Sequence, residues 1–231
     1  MGPTSARMRV MKRIAFFVAV AVVFCLASQV EAAYNWNAKF QLHYAGAHDA
    51  KLNTCDLAIV DCSSEIVVDG GPGGVSGETR YDIYVIGIDT NGVAGCRYGL
   101  VCDGPFYFYG WTNCSSFEIP QTGWPGNGLG NAHAWQVEQP PGHIIMGILD
   151  LYVYATSVSI CTGPDPRKGF AQWCDADPSE PLCNQSNSPE AGGNSDLYFG
   201  CVGFNGNSGV SRCDVISTEE YSWGRIKTLY R

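Results

Sequence analysis

Tyr81-Asp82-Ile83-Tyr84-Val85-Ile86-Gly87-Ile88, then Asp89-Thr90-Asn91-Gly92, then Val93-Ala94-Gly95-Cys96-Arg97-Tyr98-Gly99-Leu100-Val101 is the stretch whose reading decides the fold. Two runs rich in β-branched and aromatic residues flank a short polar turn, which is how strands are written. Asn91-Gly92 suits the positive φ angles of a tight connection, so the spacing predicts a β-hairpin. Outward from it the pattern continues. Ala38, Phe40, Leu42 and Tyr44 alternate with Lys39, Gln41 and His43 at period two, giving one buried and one wet face. Shorter strands are expected at Leu57 to Val60, Glu65 to Val68, Pro105 to Tyr109, Gly169 to Cys174 and Leu197 to Phe204. Ile144 to Ala155 is the longest apolar run, and its β-branched and aromatic content marks a long central strand. So many short strands, with no helical period between them, predict an all-β fold of two packed antiparallel sheets.

The N-terminus is of another kind. Met11-Lys12-Arg13 precedes an uncharged apolar run from Ile14 to Leu26, followed by Ala27-Ser28-Gln29-Val30-Glu31-Ala32. That is the order of a signal peptide. The run is shorter than the roughly 20 residues a spanning helix needs, so cleavage after Ala32 and a mature form without a membrane span are expected. Of 11 cysteines only Cys25 falls in this leader. The remaining set, Cys55, Cys62, Cys96, Cys102, Cys114, Cys161, Cys174, Cys183, Cys201 and Cys213, is even in number, and after a signal peptide it predicts a disulfide framework. No two of them stand as Cys-x-x-Cys, the close pair a thiolate zinc site uses, so no metal and no cofactor is expected. The expected location is secreted: extracellular, cell-surface or periplasmic.

The chain carries 22 acidic against 14 basic side chains, a formal charge of −8. Loss of the leader removes Arg7, Arg9, Lys12 and Arg13 and makes the remainder more acidic still. Phosphate backbones and anionic lipids are bound by basic surfaces, so nucleic acid is excluded as a partner and anionic lipid disfavoured. The organisation expected is a signal peptide over 1–32, one sandwich domain over 33–216, and a tail over 217–231. Within the domain, 161–194 is dense in Cys, Pro, Asn and Ser and reads as a long loop region. In the tail, Ser217-Thr218-Glu219-Glu220 offers a capping box, and Trp223, Ile226 and Tyr230 share one helical face, predicting a short C-terminal helix.

The tail Trp223-Gly224-Arg225-Ile226-Lys227-Thr228-Leu229-Tyr230-Arg231 resembles the ends of secreted, cysteine-rich proteins of environmental bacteria, a group with no assigned activity. The block from Arg97-Tyr98-Gly99 through Tyr109-Gly110-Trp111 to Gly123-Trp124-Pro125 resembles theirs as well. The resemblance covers about half of the mature chain and implies bacterial origin. At the level of pattern, the Asn-Gly turn followed by an apolar Gly-Pro-aromatic strand resembles immunoglobulin-like, cohesin-like and carbohydrate-binding sandwiches, and fold alone does not set function.

No catalytic residue is assigned from the sequence. Gly206-Asn207-Ser208-Gly209, with His48 and Asp89 upstream, echoes a serine-protease triad, but His48 comes before the barrel strands that family needs, and Val210 stands where its second glycine belongs. The 4 histidines form no zinc-hydrolase spacing. Glu118, Glu138 and Asp150 are candidates for the carboxylate pair of a glycoside hydrolase. Tyr107, Tyr109, Trp111, Trp124 and Trp135, with His133 among them, form a denser signal. They lie among Gly, Pro and Asn rather than aliphatic residues, and aromatic faces stack on sugar rings as well as on protein partners. The sequence therefore points to a secreted, non-enzymatic binding or surface-assembly protein, with glycan or another surface protein as partner. The alternatives are a glycan hydrolase and a structural subunit that docks through its tail.

Overall fold

The computed structural model describes Asn35 and residues 38–56, 67–68, 80–153, 155, 157–175, 183–185, 198–207 and 209–213. The chain divides into Met1–Ala33 and Tyr34–Arg231, and the description concerns the second unit. The signal peptide, the strand expected at Leu57 to Val60 and the tail helix lie outside the described residues.

The strands are β1 (Lys39–Ala47), β2 (Val67–Val68), β3 (Tyr81–Thr90), β4 (Val93–Asp103), β5 (Phe106–Asn113) and β6 (Phe117–Glu118), followed by β7 (Gly130–Gln139), β8 (Gly142–Val153), β9 (Val158–Gly163), β10 (Gln172–Asp175), β11 (Cys183–Gln185) and β12 (Cys201–Phe204). They form a four-stranded sheet in the order β1-β3-β8-β5 and an eight-stranded sheet built on β11-β10-β4-β9-β12-β2, with β7 and β6 added beside β4. Among the described residues, the strand pairings are antiparallel except that of β12 with β2. The expected all-β sandwich is what the chain builds. Among the described residues, no helix is long and apolar enough to cross a membrane.

The expected hairpin is not formed. β3 pairs with β1 and β8 in the small sheet, whereas β4 pairs with β7, β9 and β10 in the large one. The turn between them is a corner from one sheet to the other. Asn91 does not take a positive φ; Asp89 (φ 54°) and Gly92 (φ 64°) do, and they swing the chain across the sandwich. Asn35 holds the corner, its Oδ1 accepting from the Asn91 N–H at 2.8 Å and its Nδ2 donating to the Asn91 carbonyl at 2.9 Å. Local turn chemistry was the same for a hairpin and for a corner, and partners far away in sequence decided between them. From β3 to β9 the main strands continue to alternate between sheets.

The core between the sheets takes Phe40 and Leu42 from β1, Ile83 and Val85 from β3, and Met146, Leu149 and Leu151 from β8, facing Tyr98 and Leu100 of β4, Ile160, Trp173 and Phe204. Phe40 stacks on Trp173 with ring centroids 4.1 Å apart. β3 and β8 are central in their sheet and buried on both faces, which is why they read as continuous apolar runs. On their far side Tyr84, Ile86, Ile88 and Ile148 form a second cluster with Cys114 and Cys213.

Disulfides join Cys55 to Cys114 and Cys161 to Cys201, and Cys174 and Cys213 are disulfide-bonded as well. Cys62 and the Cys183 side chain lie outside the description. Cys161 and Cys201 are directly opposed across β9 and β12, their Cα atoms 4.0 Å apart. Such a bridge contributes about 2 to 4 kcal/mol. Cys96 and Cys102 depart from the expected framework and are free. Both sit on β4, six positions apart along one extended strand, so they cannot reach each other. Cys96 is a core residue with its Sγ 3.2 Å from Met146 Sδ. Burial raises both thiol pKa values, that of Cys102 to about 12.

Two outcomes follow from this packing. Alkylation of the unfolded, unreduced protein should label Cys96 and Cys102 and leave Cys55, Cys114, Cys161, Cys174, Cys201 and Cys213 unlabelled, as peptide mapping will show; labelling either thiol in the native protein should be slow. Trp173→Ala, which empties the centre of the sandwich, should cost about 3 to 5 kcal/mol in denaturant unfolding.

Candidate functional site

Strict alternation along β5 would send Tyr107, Tyr109 and Trp111 to one face. A β-bulge prevents this: Phe108 pairs with Leu151 and Gly110 with Asp150, leaving Tyr109 as the extra residue. Tyr107 and Tyr109 therefore face outward, each 51% exposed, while Trp111 turns in and packs against the core. On β5 this one residue separates the two tyrosines from Trp111. Trp124 and Trp135 also pack against the core, and His133 is buried. Trp111 meets Trp124 edge to face at 5.4 Å, and His133 lies parallel to Tyr98 with centroids 5.5 Å apart. Trp124 Nε1 is buried without a hydrogen bond, so this indole fills apolar space.

His133 is a strut rather than a base. Its Nδ1 is 3.0 Å from Ser115 Oγ and its Nε2 is 3.2 Å from Tyr98 Oη. Ser115 has one proton and two nearby carbonyl acceptors, Asn113 Oδ1 at 2.7 Å and the Phe117 carbonyl at 2.9 Å, so the hydroxyl donates there. His133 Nδ1–H must then donate to Ser115, and Tyr98 donates to Nε2. In that tautomer the imidazole cannot take a proton from Ser115. Burial lowers the His133 pKa to about 3 and raises that of Tyr98, fixing both groups neutral. Beside them Glu118 Oε2 accepts from Trp111 Nε1 and Asn131 Nδ2, each at 2.9 Å.

The hydrolase carboxylates are not brought together. Glu118 is engaged at the inward-facing Trp111, Glu138 is exposed beside the Gly92 corner, and Asp150 points out of the opposite sheet. His48 does not pair with Asp89, whose carboxylate binds Lys39. Ser208 lies outside the described residues.

What does converge is a set that sequence reasoning missed, on the outer face of the four-stranded sheet. Asp82 and Asp150 are direct partners across β3 and β8. Arg80 grips Asp150 with two nitrogens, its Nε at 2.8 Å from Oδ1 and its Nη2 on Oδ2, and its guanidinium lies 4.5 Å over the Tyr109 ring. His48 arrives on the turn after β1, where its N–H donates to the Arg80 carbonyl at 2.9 Å. Its Nδ1 stands 2.8 Å from Asp82 Oδ1 and 3.8 Å from Asp150 Oδ2. Asp82 Oδ2 accepts from the Asp49 N–H at 3.0 Å and Asn53 Nδ2 at 2.6 Å. Tyr107 and Tyr109 flank this polar group, in edge contact at 4.7 Å. No local motif could have announced the set, because strand register alone places Asp82 opposite Asp150.

A second surface feature is an apolar groove of about 380 Å³ over Gly95, Ala132 and Ala134 of the large sheet, walled by Phe117 and Ile119. It offers fewer converging polar groups than the tyrosine face.

The fold defines a disulfide-stapled β-sandwich with an aromatic and charged outer face. No protein-family model and no curated protein matches the chain. Among solved structures it is similar to a chain from the crystal structure of a CaDoc0917 variant in complex with CaCohA2 at pH 5.5, at 16% identity and a TM-score of 0.36, covering 47% of this chain and 82% of that one.

Because the unfolded His133 titrates near 6.5 and the folded one near 3, the unfolded state takes up the proton first as pH falls. Stability is thus full above pH 6.5 and declines toward 3. Urea unfolding at pH 6.5 and pH 5.0 should differ by about 1.5 kcal/mol from this group, and His133→Gln should lose that difference.

Proposed function

We propose that the protein is a binding module acting outside the cytoplasm, and that it recognises a glycan on the outer face of the four-stranded sheet through Tyr107 and Tyr109. The observation that carries this reading is the exposure of two nearby tyrosine rings on β5, the edge strand of that sheet. Large aromatic side chains left half in water on a rigid strand are suited to stacking against a ring or an apolar surface. Arg80, Asp150 and His48 stand beside them and can exchange hydrogen bonds with sugar hydroxyls. The disulfides support the location, since such bonds persist in oxidising compartments. The resemblance of the tail to secreted bacterial proteins favours the same setting. Trp124 and Trp135, attractive in sequence, contribute by packing the interior behind this face.

The test is a glycan array probed with the oxidised protein and with a Tyr107→Ala, Tyr109→Ala variant of unchanged circular dichroism. Binding should weaken at least tenfold, about 1.4 kcal/mol, in the variant. Binding that survives intact moves the site off this face; no binding by the parent protein to any glycan leaves another surface protein as the partner.

A further inference from the structure

We propose that His48, Asp82 and Asp150 form a binding site for a divalent transition-metal ion of the kind that accepts mixed nitrogen and oxygen ligands, such as Zn²⁺ or Mn²⁺. Three observations lead there. The first is convergence: one ligand atom of each residue, His48 Nδ1 and one carboxylate oxygen from each aspartate, lies within 4.8 Å of the other two. Ligand atoms bound at about 2.0 to 2.2 Å around one ion stand about 3 Å from each other in an octahedral sphere and about 3.5 Å in a tetrahedral one. The separations of 2.8 Å and 3.8 Å from Nδ1 are thus within a side-chain adjustment of a coordination sphere.

The second is charge. Like charges directly opposed across two strands are destabilising, and Asp82 and Asp150 are so opposed. Arg80 neutralises one of them. The remaining negative charge is concentrated where His48 Nδ1 points, a position suited to a bound cation. Asp82 is buried, so water gives this charge little help.

The third is the outer support. Asp82 Oδ2 is held by the Asp49 N–H and Asn53, and Asp150 by Arg80 at both oxygens, Nε on Oδ1 and Nη2 on Oδ2, so that Asp82 Oδ1 and the second lone pair of Asp150 Oδ2 are the acceptor positions toward the histidine. Metal-binding carboxylates and imidazoles are commonly fixed in this way by a surrounding shell of donors. His48 has 30% of its side chain exposed, so an ion has a path in, and three protein ligands leave positions for water or a ligand group. His48, Asp82 and Asp150 come from three separate segments of the chain, and no spacing rule marks them.

The inference shares His48 and Asp150 with the proposed glycan face, and it is tested without a glycan so that the two can fail separately. Isothermal titration of the oxidised, chelator-treated protein with ZnCl₂, and electron paramagnetic resonance with MnCl₂, should show one saturable site of micromolar affinity for at least one of the two ions. His48→Ala and Asp150→Asn should each weaken it at least tenfold, while Tyr107→Ala should not. Thermal unfolding should shift upward with metal in the parent protein and not in the His48 variant. Absence of saturable binding up to millimolar metal overturns the proposal and leaves the cluster as a hydrogen-bonded polar network. So does binding that folded His48→Ala and Asp82→Asn variants retain unchanged.

Discussion

The stack of Phe40 on Trp173 is a contact that ties the two sheets of this sandwich together. It joins β1, the edge strand of the small sheet, to β10 of the large sheet, with both rings fully buried. The approach is possible because β3 carries Gly87 where the indole passes; a side chain there would collide with Trp173 and sit 2.9 Å from Ile144 Cγ1. The backbone of Phe40 completes the seam. Its carbonyl accepts from the Gly200 N–H at 2.8 Å and from Thr162 Oγ1 at 3.0 Å, tying β1 to the approach to β12 and to β9. The Cys161–Cys201 disulfide crosses those same two strands, so covalent and packing constraints act at one place.

From that seam the small sheet extends toward β5, where the packing task changes. The space near β4, β5 and β7 is filled by Trp111, Trp124, His133 and Trp135 around Tyr98 rather than by aliphatic side chains. Aromatic rings bring polar edges with them, and the interior meets that demand with Ser115, Asn131 and Glu118. A neutral histidine bonded at both nitrogens is inexpensive to bury, and it holds its neighbours at fixed angles.

The two outer faces are not equivalent. That of the small sheet carries an apolar cluster around Tyr84 and Ile86 and, along the same strands, the charged group of Asp82, Asp150, Arg80 and His48. The segment from His48 to Cys55 spans both, because Asp49 and Asn53 bond Asp82, the Thr54 carbonyl accepts from Tyr84 Oη, and Cys55 is bridged to Cys114. The disulfide that anchors this segment thereby also positions the charged group. Tyr107 and Tyr109 lie at its border, with Arg80 linking the two through Asp150 and the Tyr109 ring.

The sequence by itself determined the fold class, because alternation at period two and β-branched runs are local properties: β1, β3, β4, β5, β8, β10 and β12 lie where the residues of each segment place them. It pointed to disulfide bonding through an even cysteine set, although parity could not tell Cys96 and Cys102 from the bridged ones, since bonding depends on which Cα atoms meet. Tertiary structure alone decided three things. It sent β3 and β4 to different sheets, because strand partners are chosen by long-range packing and not by the turn between them. It split the aromatic group, because one unpaired residue before Gly110 reverses every side chain that follows. It also made a charged site from His48, Asp82 and Asp150, residues that share no motif and meet only because the register of β8 on β3 sets one aspartate opposite the other.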